Sequence, residues 1–77
     1  MIIKKVISGQ YRGEAIVDGY NVRVEIESYD QGGFSFSWYV NDYFQFGDGW
    51  IGLRLKDIKA GLDDDIQYVI KEYKGLN

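Results

Sequence analysis

Residues 34–50 read FSFSWYVNDYFQFGDGW, and eight of the thirteen aromatic residues of the chain fall within those seventeen positions. The first seven alternate strictly: Phe34, Phe36, Trp38 and Val40 point one way, Ser35, Ser37 and Tyr39 the other. That is the period of a half-buried strand, built from side chains that suit a pleated surface. Asn41-Asp42 follows as a turn pair. Then come Tyr43, Phe44, Gln45 and Phe46, and Gly47-Asp48-Gly49 breaks the chain before Trp50. The first half is core. The second half carries more aromatic surface than so small a domain buries, and two readings stand. Tyr43, Phe44, Phe46 and Trp50 either finish the core beneath a C-terminal helix or form an exposed loop that grips a partner.

Upstream, residues 20–28 alternate as cleanly, with Tyr20, Val22, Val24 and Ile26 facing the core and Asn21, Arg23, Glu25 and Glu27 facing water. Asp18-Gly19 before them favours the left-handed conformations of a two-residue type I′ hairpin. Residues 11–17 then form the preceding strand, in which Gly13 and Ala15 leave room for a bulky neighbour such as one of the aromatics. Residues 2–7 are rich in β-branched side chains, but Lys4 and Lys5 put a charge on each face, so the pattern leaves the buried side open. Asp30-Gln31-Gly32-Gly33 returns the chain into the aromatic strand. Trp50, Ile51, Leu53 and Leu55 supply a further strand of about five residues. With no proline to block an edge, the sheet offers a surface for dimerisation or for a partner's strand.

The tail is helical. Ile66, Val69, Ile70 and Tyr73 recur at i, i+3, i+4 and i+7, a single apolar stripe. Asp63, Asp64 and Asp65 suit the positive end of a helix dipole, with Asp63 as N-cap. Lys71 and Lys74 suit the other end, and Gly75 stops the helix. Residues 57–60 add a short helical turn ended by Gly61. The prediction is an α+β fold: an antiparallel β-meander of four to five strands, with one C-terminal α-helix over residues 63–74 packed on one face. Residues 1–77 form one domain, and its core is Val22, Val24, Ile26, Phe34, Phe36, Trp38, Ile66, Val69 and Ile70.

Composition narrows the chemistry. The chain of 77 residues has no cysteine and no histidine, which removes disulfides, thiolate metal sites and the usual general base. A domain this short buries roughly 60% of its unfolded surface, so aromatic and β-branched side chains carry its stability. The net charge of −3 disfavours phosphate binding, which needs clustered Lys and Arg. Residues 1–12 carry Lys4, Lys5 and Arg12 without an acid, whereas residues 13–33 carry Glu14, Asp18, Glu25, Glu27 and Asp30 against Arg23 alone. The opening MIIKKVISG does not read as a signal peptide, no apolar run is long enough to span a membrane, and a cytoplasmic location is expected.

No catalytic kit is present. Ser35 and Ser37 lack a histidine to activate them, and the carboxylates of Asp42 and Asp48 have no deep cleft to tune them. Consecutive aspartates at 63–65 diverge on a helix and do not make a calcium loop. Neither enzyme activity, cofactor nor metal is expected. A single-strand nucleic-acid platform of Tyr11, Tyr39 and Tyr43 lacks flanking basic residues. A carbohydrate-binding module would use Trp38 and Trp50 with Asn41, Asp42, Gln45 and Asp48, and stands as the alternative. The preferred expectation is a small, non-catalytic, protein-binding module, a stoichiometric inhibitor or modulator of a larger cytosolic complex. By size and composition only, it has the profile of phage and mobile-element proteins of the anti-CRISPR and anti-restriction kind. Tyr43, Phe44, Phe46 and Trp50 would carry the contact, with Asp42 and Asp48 as its polar rim.

Overall fold

The computed structural model describes residues 1–29, 32–51 and 54–75, and of Trp50 the backbone alone. Five strands follow one another, β1 (Ile2–Ile7), β2 (Gln10–Val17), β3 (Tyr20–Ser28), β4 (Phe34–Val40) and β5 (Tyr43–Trp50), before helix α1 (Leu55–Lys74). Spatial order equals chain order, β1-β2-β3-β4-β5, and every pairing is antiparallel. The fold is therefore α+β, a five-stranded meander with one helix packed against β3, β4 and β5.

The turns explain the register. Asp18 and Gly19 both adopt positive φ, 52° and 83°, which matches the twist a two-residue hairpin needs. Asn41 and Asp42 do the same at 51° and 69°, without a glycine, and side chains hold them there. Asn41 Oδ1 accepts the Asn21 N–H at 3.0 Å, and Arg23 Nη1 reaches Asp42 Oδ1 at 2.6 Å. Residues 30 and 31 of the expected β3–β4 loop lie outside the described residues. Opposite Trp38 and Tyr39 the β5 register shifts, so Gln45 is the extra residue of a bulge.

Paired residues share a face of the sheet. Val22, Val24, Ile26, Phe34, Phe36, Trp38 and Val40 all point beneath α1, which returns Ile58, Leu62, Ile66, Val69 and Ile70. All nine expected core residues are buried, and Val40, Ile58 and Leu62 join them. The space over Gly13 is taken by Met1, whose Sδ a Cβ on that glycine would strike, rather than by an aromatic ring. The Met1 amino group forms an ion pair with Asp63 on α1.

Three expectations are corrected. The stretch after Asn41-Asp42 is strand β5, since Gly47-Asp48-Gly49 stays in register with Ser37, Phe36 and Ser35. Among the described residues the expected strand from Trp50 to Leu55 does not form: Trp50 ends β5, Leu55 opens α1, and Gly52 and Leu53 lie outside the described residues. Finally, α1 begins at Leu55 instead of Asp63, with Arg54 as an extended N-cap whose backbone N–H is accepted by Asp57 Oδ2 at 3.3 Å. Gly61 sits inside the helix, and the three aspartates are mid-helix, away from the positive end of its dipole. The C-terminus is as expected, with Gly75 at φ 81° donating its N–H to Glu72 O.

Candidate functional site

Because β5 is a strand, its successive side chains point to opposite faces, and the expected contact residues whose side chains are described do not form one patch. Tyr43 pairs with Val40 and Phe46 with Trp38, both on the helix side, whereas Phe44 pairs with Tyr39 on the open face. Tyr43 is 67% exposed and Phe44 60% exposed. Phe46 is half-buried and packs against the core. The side chain of Trp50 lies outside the described residues.

Each exposed ring is propped from behind. The Tyr43 ring lies 6.3 Å from that of Tyr73 on α1, tilted by 35°. Tyr73 in turn meets Tyr20 edge-on at 5.8 Å, and its hydroxyl accepts a hydrogen bond from Asn41 Nδ2 at 3.3 Å. On the open face Phe44 meets Tyr39 edge-on at 5.7 Å, and the Arg23 guanidinium covers Tyr39 at 4.3 Å from the ring centroid. Glu25 Oε2 lies 3.1 Å from Arg23 Nε, in charge contact but off the line of a hydrogen bond. Asp42 completes this clamp. Its carboxylate is therefore committed to Arg23, and as a rim group it acts by holding Arg23 over Tyr39.

Phe46 meets Tyr68 of α1 edge-on at 5.5 Å, and Tyr68 donates to Glu72 Oε1 at 2.9 Å, which pushes its hydroxyl pKa up. Next along the same side stands Asp48, exposed. The carboxyl of Asp65 is raised above the ordinary aspartate range by burial first, then by the negative charges of Asp64 and Asp48. Among the described side chains, the helix-side flank of β5 thus runs from aromatic Tyr43 and Phe46 to acidic Asp48.

The other arrangements weighed from sequence come apart on this scaffold. Trp38 is fully buried, and Gln45 Nε2 donates to Tyr43 O at 2.9 Å, so two members of a sugar platform are occupied. Tyr39 lies on the opposite face of the sheet from Tyr11 and Tyr43, since Tyr39 pairs with Arg23 while Tyr11 pairs with Ile26 and Tyr43 with Val40. Among the described residues no group of three acids stands where it would hold a metal ion, and no helix is long and apolar enough to cross a membrane. The open face holds a shallow hollow lined by Arg12, Glu25, Glu27, Ser35 and Ser37 among others.

Of the four aromatics named from sequence, Tyr43 and Phe44 are exposed, and their supports Tyr73, Tyr39 and Arg23 went unnoticed. The helix stripe from Leu55 would have placed Tyr68 and Asp65 on the flank that meets β5. No family model, curated protein or solved structure matches the chain, so the reading of its surface rests on the surface alone.

Proposed function

We propose that the chain is a non-catalytic protein-binding module that grips a larger partner through Tyr43 and Phe44 at the β4–β5 corner. The observation that carries this is their exposure together with their internal support. Two large rings stand in solvent, yet each is held by a second ring, so little side-chain freedom is lost when a partner covers them. Aromatic anchors with a fixed geometry are the usual centre of a binding hot spot. Asp48 and the Arg23–Asp42 pair supply the polar rim. Binding of this kind suits a stoichiometric inhibitor or modulator in a cytosolic setting.

The test is affinity capture from host lysate with a C-terminally tagged chain, leaving the Met1–Asp63 contact intact. Wild type is run beside a Tyr43→Ala/Phe44→Ala variant shown by circular dichroism to be folded. A near-stoichiometric partner captured by wild type and lost with the variant supports the reading. A partner retained equally by both removes these aromatics from the site. The carbohydrate alternative predicts saturable quenching of tryptophan fluorescence by oligosaccharides, and the protein-binding reading predicts none.

A further inference from the structure

Resting on that protein-binding reading, the geometry of β5 points to how the partner is held. We propose that β5 takes an extended segment of the partner as a sixth antiparallel or parallel strand, and that this segment presents lysine or arginine at alternate positions to the seam between β5 and α1.

The two rims of the sheet differ. β1 carries Lys4 and Lys5 and a register shift between Lys5 and Ile7, the ordinary devices that keep an edge from pairing. β5 has neither lysine, arginine nor proline, and Asp48 is its one charge. Its bulge falls at the Tyr39 end, so residues 46–50 run in unbroken register against residues 34–38. No described strand covers its outer side. Such an edge presents a row of backbone donors and acceptors to any extended chain. At Gly49 the free edge is capped locally, since the Gly49 N–H is held by Asp48 Oδ1 at 2.8 Å. A partner carbonyl would take over that amide and release the carboxylate.

What a sixth strand would meet differs by face. On the open face its neighbours would be Gly47 and Gly49, backed by Ser37 and Ser35, which leave room for side chains of any size. Among the described side chains, its helix-side neighbours would be Phe46, Asp48 and the flank of α1 that carries Asp65, Tyr68 and Glu72. Among the described residues Asp48, Asp64 and Asp65 make no ion pair, and Glu72 takes the Tyr68 hydroxyl. Lys71 and Lys74 stand in the last turn of the same helix, beyond Asp64 and Asp65 in sequence. Acids crowded along one seam repel each other, and a lysine or arginine on every second residue of the incoming strand would relieve them. A second copy fits less well. Pairing two β5 strands about Asp48 sets like charges opposite each other, between molecules each carrying −3, which destabilises the pair.

The probe is a blocked peptide of about five Lys-Thr repeats, threonine being chosen for its strand preference, titrated into the isotopically labelled protein at low salt. Amide shifts are expected at residues 46–50 of β5 and 65–72 of α1. The same peptide methylated on its backbone nitrogens keeps the charge and loses the amide donors, so its binding there should vanish. Asp48→Asn/Asp65→Asn should weaken the parent peptide roughly three- to tenfold, as expected for two exposed charge pairs. Equal binding of the methylated peptide, shifts centred elsewhere, or no binding of the parent overturns strand addition. A concentration-dependent dimer competed away by the peptide overturns it too, in favour of a second copy. If capture by Tyr43 and Phe44 succeeds while the peptide arm fails, protein binding stands and the strand mode falls. If the peptide adds to β5 but the aromatic variant keeps its partner, the aromatic anchors fall and the strand mode stands.

Discussion

Replacing Gly61 by alanine should stabilise the protein, and the sign of the effect decides where the helix begins. Gly61 lies in the interior of α1, seven residues into Leu55–Lys74, and is absent from the glycines with positive φ. Glycine in a helix interior costs about 1 kcal/mol relative to alanine, because the unfolded chain loses more freedom there. For a domain of this size that corresponds to a rise in Tm of roughly 4–8 °C. Gly75 is the matched control. It closes the same helix at φ 81°, where a Cβ is disfavoured by about 1–2 kcal/mol, so Gly75→Ala should lower Tm. Thermal and urea unfolding followed by circular dichroism at 222 nm (the ordinary helix band) measures both. Had residues 57–60 formed a separate turn ended by Gly61, alanine at 61 would destabilise as it does at 75. A fall in Tm for Gly61→Ala refutes the continuous helix.

Leu62→Ala should cost about 2–5 kcal/mol, because Leu62 is fully buried beside Ile58 and Ile66; urea unfolding showing a loss below about 1 kcal/mol would contradict its place in the core. Asp65→Asn should stabilise the protein at pH 7. The folded-state pKa of Asp65 is raised above 3.8 by burial and by Asp64 and Asp48, so its ionised form weakens the fold at all pH values above that raised pKa. The gain should shrink as pH falls through the raised pKa toward 3.8, and a gain that persists undiminished at pH 3.5 would sink the assignment. Trp38→Phe should cost no more than about 1–2 kcal/mol, since the buried indole N–H has no hydrogen-bond partner among the described residues and removing it offsets part of the lost packing. Calorimetry showing a loss as large as that of Trp38→Ala would mean that the indole is satisfied after all.

Strands β2 to β4 were legible because alternation, turn pairs and burial all agree there. Val22, Val24 and Ile26 face Val40, Trp38 and Phe36 as the pattern demands. β5 was not legible. The Asn41-Asp42 turn was readable, but a bulge at Gln45 breaks the alternation between Phe44 and Phe46. Glycines at 47 and 49 then read as breakers, although the β4 backbone crowds that line: a Cβ there would lie 3.2 Å from Phe36 O and 3.3 Å from Phe34 O. The start of α1 was obscured by chemistry that mimics a cap. Three aspartates outweighed the apolar spacing of Leu55, Ile58 and Leu62, and Asp63 turns out to serve the Met1 amino group instead. For the candidate site, sequence named Tyr43 and Phe44, which are exposed, while their division between two faces followed from the strand that it did not see.

The reach of α1 has a consequence for motion. Its principal packing is on β3, β4 and β5, while β1 holds to the rest chiefly by its ladder with β2 and by the Met1 contacts over Gly13 and at Asp63. Local opening takes the least where fewest apolar contacts are lost. Backbone amides of β1 are therefore expected to exchange with solvent by peeling, and those of β3 and β4 only when the whole domain unfolds. The same asymmetry places the Tyr43–Phe44 corner at the helix-covered end of the sheet, away from β1.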